Sequence, residues 1–179
     1  AVRAGAKMKL HDYPGAISDY QESIRLKITN PEAWNSCGAC YYNLARFGDA
    51  IPWFDRAIQM NPSYSLAWYN RARALEKSGA EDSLILADYT RAIRFDSTAK
   101  HAYKSCGYVR WEGGDLEGAL EDCDWAIRLD NTFSEAWQLR GVIRFTLKRY
   151  KEAIVNYDEA IRLNPDYAEA FYNRGVAKY

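Results

Sequence analysis

The stretch PEAWNSCGACYYNLARFGDAIPWFDRAIQMNP, residues 31–62, carries the pattern that decides the fold. In its first half Trp34, Cys37, Gly38 and Tyr41 fall at i, i+3, i+4 and i+7, which makes one face of a helix apolar. In its second half Ala50, Phe54, Ala57 and Ile58 form a like face. Asn61-Pro62 closes the stretch, because proline cannot continue a helix and disfavours helical backbone at the residue before it. The stretch therefore predicts two amphipathic helices joined by a short turn.

Outward from it the same columns recur. Trp34 is followed by Trp68, Tyr103, Trp137 and Phe171, at spacings of 34, 35, 34 and 34. A small residue comes a turn later in each copy: Gly38, Ala72, Gly107, Gly141 and Gly175. Ala16, Ala50, Ile85, Ala119 and Ala153 make a third series, and Tyr20, Phe54, Tyr89, Cys123 and Tyr157 a fourth. Ser23, Ala57, Ala92, Ala126 and Ala160 complete the register. The one extra residue falls between Arg73 and Leu84, where Ser78-Gly79-Ala80-Glu81-Asp82-Ser83 has turn chemistry. Residues 1–30 are then an incomplete unit, 31–64, 65–99, 100–133 and 134–167 are whole, and 168–179 stops inside a first helix. A single helix pair cannot bury both its sides, so neighbours must stack into an all-α solenoid of antiparallel helix pairs. The small column lets a ring, Trp34 or Phe54, seat against the facing backbone. Phe171, Tyr172, Val176 and Tyr179 leave an apolar end, so the chain reads as a fragment of a longer array, able to self-associate through uncapped ends.

Composition narrows the function. The 179 residues carry 24 basic and 24 acidic side chains, and this neutrality argues against nucleic-acid binding, which needs concentrated excess positive charge. No apolar run approaches the length of a membrane span and no secretory signal opens the chain, so a cytoplasmic, non-membrane protein is expected. The 14 Tyr and six Trp are the surplus that a function has to explain.

The columns Trp, Gly/Ala, Tyr, Ala, Phe/Tyr, Ala and Pro resemble the tetratricopeptide repeat, over essentially the whole chain. The clearest copies are residues 31–64 and the unit with Trp137, Gly141, Ala153, Tyr157, Ala160 and Pro165. The resemblance implies a right-handed superhelical solenoid and a protein-interaction scaffold, with no catalysis in this chain. Some positions depart from the pattern. Ser97 and Asn131 stand where Pro is preferred, Cys123 replaces an aromatic, and Arg71, Arg140 and Arg174 fill a column often held by Leu. Pro52 costs little if it lies in the first turn of its helix and kinks the helix otherwise.

Little else invites chemistry. Cys37-x2-Cys40 lacks the second ligand pair that zinc needs, with Cys106 and Cys123 two units away, so small buried thiols and no metal are expected. His11 and His101 have no triad partner, and Gly113-Gly114 sits at a helix–helix turn without the lysine of a phosphate loop, so no catalytic residue and no cofactor is expected. Asp12, Asp49 and Asp115 lie near the starts of second helices, where a carboxylate accepts backbone N–H groups.

The remaining rings gather on one neighbouring face. One, five and eight residues after each opening aromatic come positions that line the concave groove of tetratricopeptide arrays, where ligand peptides lie. They include Tyr42, Tyr69, Arg73, Lys104, Tyr108, Trp111, Phe145 and Tyr172, with Asn70 and Asn173 beside them. Rings for apolar anchors and amides for a peptide backbone make these ten the expected peptide-binding groove. The rival reading packs the same rings between first helices as stiffening. A two-carboxylate clamp for an acidic chaperone tail is not expected: around Asn70 the flanking clamp positions hold Asn35, Ala39, His101 and Ser105. A second functional reading makes the array the substrate-recruiting repeat domain of a larger enzyme, as in the arrays that precede glycosyltransferase domains. The convex-face residues Arg56, Arg91, Arg94, Arg162 and Asp130 read as an ordinary solvated surface.

Overall fold

The computed structural model describes residues 2–26 and 30–179; Ala1 and positions 27–29, which fall in the incomplete opening unit, lie outside the described residues. Among the described residues the chain is all-α, with eleven helices and no strand. They form two compact units, residues 1–97 and 98–179.

The first unit contains α1 (Val2–Lys9), α2 (Tyr13–Arg25), α3 (Pro31–Asn43), α4 (Phe47–Met60), α5 (Ser65–Lys77) and α6 (Asp82–Phe95), each packed on the next. The second contains α7 (Lys100–Glu112), α8 (Leu116–Leu129), α9 (Ser134–Thr146), α10 (Tyr150–Leu163) and α11 (Ala168–Lys178), packed in the same order. First helices also touch each other, α3 with α5, α7 with α9, and α9 with α11. These contacts between first helices build the faces described below.

Local chemistry fixes the helix ends. Asn30, Asp12 and Asp115 accept the N–H groups of Ala33, Gly15 and Gly118 at 2.8, 3.0 and 3.0 Å, capping α3, α2 and α8. Asp49 lies inside the first turn of α4 and pairs with Arg46 at 2.7 Å. Each turn from a first to a second helix passes through one left-handed residue, in a single column: His11, Ala45, Gly79, Gly114 and Lys148, with φ of 59°, 57°, 75°, 84° and 60°. Glycine takes that conformation freely at Gly79 and Gly114, whereas Ala45 and Lys148 carry a strain of about 1 kcal/mol each. Pro52 is the sixth residue of α4, past the first turn, and removes the N–H that would reach the carbonyl of Gly48. Gly48 is exposed, so water can satisfy that carbonyl.

The small column locks onto the ring column. A Cβ at Gly38 would lie 2.7 Å from the Phe54 ring, and one at Gly141 would lie 2.5 Å from Tyr157. The seated ring is therefore that of Phe54 and its counterparts, and Trp34 packs instead on Trp53 at 5.3 Å. In α7/α8 Cys123 takes the ring's place, and Gly107 approaches the carbonyl of Ala119, 3.1 Å from where its Cβ would be.

The opening aromatics are not uniformly core. Trp68 is 8% exposed, but Phe171 is 43% exposed. Trp34 is covered by Trp53 of α4, and Tyr103 by Trp125 of α8 at 6.0 Å. Phe171 stands on α11, the last helix described, and no second helix covers it.

The arginines that depart from Leu form brackets. Arg71 donates to Asp88 in bidentate fashion, at 2.7 and 2.8 Å, and to Asp55 at 2.5 Å, so one side chain on α5 ties α6 to α4. Asp88 is fully buried. Arg140 repeats the device on Asn156 at 2.7 Å and Asp124 at 2.5 Å, and Arg174 on Asp158 at 2.6 Å. Where Cys106 holds this column, Arg110, one turn along α7, meets the buried Asp122 at 2.9 Å.

Candidate functional site

In the first unit α3 and α5 lie side by side, so one residue column faces the next across them. Arg73 points back from α5 and donates to the Tyr42 hydroxyl at 3.1 Å. Its guanidinium stands 4.4 Å from the centre of the Tyr42 ring and 5.7 Å from that of Tyr69, a cation held against two π faces. No carboxylate pairs with Arg73 among the described residues, so its charge is balanced only by ring faces and solvent. Beside it the Asn70 amide donates to the Asn35 carbonyl oxygen at 2.9 Å. Tyr42 leans on Ala50, Phe54 and Ala74 and meets Phe47 edge-on, while Tyr69 tilts against the buried Tyr89. Tyr42, Tyr69, Asn70 and Arg73 are all half-buried.

In the second unit Lys104, Tyr108 and Trp111 form a second group on α7. Tyr108 tilts against Trp111 at 5.8 Å and donates to Glu112 at 2.7 Å, with the Lys104 ammonium 5.9 Å above its ring. The Trp111 indole donates to Thr146 of α9 at 3.1 Å. Both rings pack on the buried cluster Ala119, Cys123, Leu139 and Ile143. Cys123 brings less volume than the ring that its column usually holds, and Tyr108 and Trp111 help fill the space. For these two rings the packing reading carries weight, because they contribute to the core of their unit.

Phe145 meets Tyr150 edge-on at 5.2 Å, apart from the Tyr108 pair. Tyr172 is 72% exposed on α11, and among the described residues no ring contact or hydrogen bond joins it or Asn173 to the other candidates. The ten expected groove residues thus separate into Tyr42, Tyr69, Asn70 and Arg73 in one unit and the other six in the second.

Two amides of the same groove register, outside the ten, are buried. Asn35 and Gln138, each directly after an opening aromatic, are buried and bond to the next first helix: Asn35 to Asn70, and Gln138 to Glu169 at 2.9 Å. The groove register, one residue after the opening aromatic, already included both.

Thiol chemistry has no support in the geometry. All four cysteines are buried, and burial pushes Cys37 up to about 12, Cys40 to about 11 and Cys123 to about 12, so these three stay protonated at neutral pH. Among the described residues no three His, Cys, Asp or Glu side chains converge as metal ligands. No described helix is long and apolar enough to cross a membrane. His11 bonds to the Tyr13 hydroxyl at 2.8 Å, and His101 meets Phe133 edge-on at 4.8 Å.

Tetratricopeptide repeat models match residues 31–64 and 53–94, and a model described as TPR repeat matches residues 141–179. The chain is similar to heat shock protein STI1 of Saccharomyces cerevisiae, 27% identical over 108 residues, covering 60% of this chain and 18% of that protein. It is also similar to human serine/threonine-protein phosphatase 5, 26% identical over 111 residues, covering 60% and 22%. The chain thus spans about a fifth of the length of these relatives. Among solved structures, MamA superposes with a TM-score of 0.81 at 22% identity, over 93% of this chain and 96% of the other. YrrB, described as a TPR protein with an unusual peptide-binding site, gives 0.79 at 20% identity, over 96% and 88%. The repeat columns, the ring-on-glycine lock and these matches agree: the chain belongs to the tetratricopeptide repeat family.

Proposed function

We propose that this chain is a protein-interaction scaffold whose first-helix faces hold peptide segments of a partner, and that in the first unit the holding group is Arg73 with the Asn70–Asn35 amides. The observation that carries this reading is the state of Arg73: half-buried, fixed between Tyr42 and Tyr69, and without a carboxylate partner. A guanidinium so placed is pre-organised for a carboxylate or carbonyl of a ligand, and loses little side-chain freedom on binding. The rings beside it offer apolar faces, and the amides offer donors and acceptors for an extended backbone. In the second unit Tyr172 and Asn173 give the same chemistry at an exposed position. Family membership and the peptide-binding site named for YrrB support a peptide as the ligand class.

The chaperone-tail clamp is not part of this proposal, because Asn70 is engaged with Asn35, which stands where the clamp needs Lys. The reading as the recruiting region of a larger enzyme draws on the phosphatase match, which covers 22% of that protein.

The test is a peptide selected on the intact chain from a random-sequence display library, then titrated against Arg73→Ala and against Arg94→Ala on α6 as a surface control. Arg73→Ala should weaken binding at least about ten-fold, as expected for a pre-organised charged contact, with Arg94→Ala unchanged. Equal affinity of the two variants would refute the role given to Arg73. Tight binding of a Glu-Glu-Val-Asp peptide would restore the clamp.

A further inference from the structure

In three of the four pairs the residue just before the Ala57, Ala92, Ala126 and Ala160 column covers the opening aromatic. In α3/α4 the Arg56 guanidinium lies 5.8 Å from the centre of the Trp34 ring. In α5/α6 Arg91 lies 4.6 Å from the centre of the Trp68 ring, which Arg71 also approaches to 4.8 Å, so that indole carries two guanidinium groups. In α7/α8 the place is taken by Trp125, stacked on Tyr103. In α9/α10 it is Glu159, which cannot cover a π face. Trp137 accordingly keeps one guanidinium, Arg140 at 4.5 Å, and lines a surface pocket of about 330 Å³ with Val155, Asp158, Glu159 and Arg162.

We infer that this pocket is a docking site for an arginine side chain of a partner polypeptide, seated on Trp137 as Arg91 is seated on Trp68. The inference is independent of the first-helix faces, since the pocket is lined largely by the second helix α10.

Three features of the pocket select a guanidinium. The indole is fixed in plane by donating to the carbonyl oxygen of Asn131 at 3.0 Å, so its face is presented without rearrangement. Val155, 63% exposed, flanks the ring and can meet the methylene stem of an arginine. Asp158 and Glu159 supply carboxylates at the rim, and a planar fork of N–H donors uses both a π face and a carboxylate.

The local cations do not forbid it. Glu159 pairs with Arg162 and Asp158 with Arg174, each at 2.6 Å, yet a carboxylate has about four lone-pair sites and can accept from a second donor. Arg162 holds Glu159 in bidentate fashion, at 2.9 and 2.6 Å, from a side chain that is 66% exposed, so a second guanidinium would share or displace an exposed pair. Arg140, beside the ring, is neutralised by Asp124 at 2.5 Å, as Arg71 beside Trp68 is by Asp55 and Asp88. The first unit thus already contains, within one chain, the assembly proposed for the second.

The test is a titration of the isotope-labelled chain with acetyl-Gly-Arg-Gly-amide, following the Trp137 indole N–H and the Val155 methyl signals. The same peptide with citrulline in place of arginine is the neutral isostere, and the Trp68 indole, which already carries two guanidinium groups, is the internal control. The expected result is a saturable shift at Trp137 and Val155, weakened at least about five-fold with citrulline, as loss of the cation requires, with Trp68 unmoved. Glu159→Arg should fill the pocket from within and abolish the shift, and Glu159→Gln, which keeps the side-chain shape, should weaken it. Equal shifts with citrulline, an arginine shift that persists in Glu159→Arg or is undiminished in Glu159→Gln, or no saturable shift would each overturn the assignment.

Discussion

Tyr42 of the first unit and Trp111 of the second occupy the same sequence column, as do Arg73 and Tyr108, and the two groups differ in what stands around them. In the first unit Tyr42 and Tyr69 flank an arginine, and that arginine has no anionic partner. In the second, Tyr108 and Trp111 sit on Ala119, Cys123, Leu139 and Ile143, closing the gap left by Cys123. A column position alone therefore does not decide between ligand face and core. Tyr42 and Trp111 are both half-buried against a core cluster, and what separates the groups is the neighbouring column, an arginine at Arg73 and a ring at Tyr108.

The buried brackets show the same divergence and give the largest expected effect. Arg71→Ala would leave the fully buried Asp88 without its bidentate partner, at a cost of about 3–5 kcal/mol. Arg140→Ala in the second unit strands only the neutral Asn156 and the half-exposed Asp124, for about 1–2 kcal/mol. Denaturant unfolding of both variants should show this gap, and equal losses would mean that the two brackets are equivalent after all.

Trp111→Ala comes next. Removing a half-buried indole from the core of its unit should cost about 2 kcal/mol, whereas Arg73→Ala, which empties no core space, should stay below about 1 kcal/mol. Matching losses in thermal melts would erase the distinction between the groups.

The smallest effect is a pH dependence confined to the second unit. Burial pushes the Asp122 carboxyl up to about 6, although Arg110 beside it favours the ionised form. The folded chain therefore holds this proton more tightly than the unfolded chain, in which Asp titrates near about 4. Its stabilising contribution is full below that unfolded value and is lost as pH rises through about 6. Asp122→Asn should gain on the wild type between pH 5 and pH 7, on the order of 1 kcal/mol, in melts at the two values. A constant difference across that range would exclude the shift.

The helix pairing was legible in the sequence because it rests on local periodicity: five columns in phase leave one way to fold, and Asp12 and Asp115 cap where their spacing says they should. The conflict at Pro52 was legible as a question, and it falls opposite Gly48, an exposed residue whose freed carbonyl water can reach. What stayed hidden depends on partners from other helices. Arg71 read as a departure from Leu because Asp55 and Asp88 come from two different second helices. The packing of Trp111 on Ala119, Cys123, Leu139 and Ile143 stayed hidden because these residues come from α8 and α9. The surface reading of Arg56 and Arg91 missed that their guanidinium groups lie over Trp34 and Trp68.

The most direct measurement is the affinity of one library-selected peptide for the wild-type chain, Arg73→Ala and Tyr69→Ala, with a melting curve of each protein. Binding lost at least about ten-fold in both variants, with melting midpoints within a few degrees of wild type, is the expected outcome. Undiminished binding by Arg73→Ala would contradict the assignment of the first-helix face of the first unit as the peptide site.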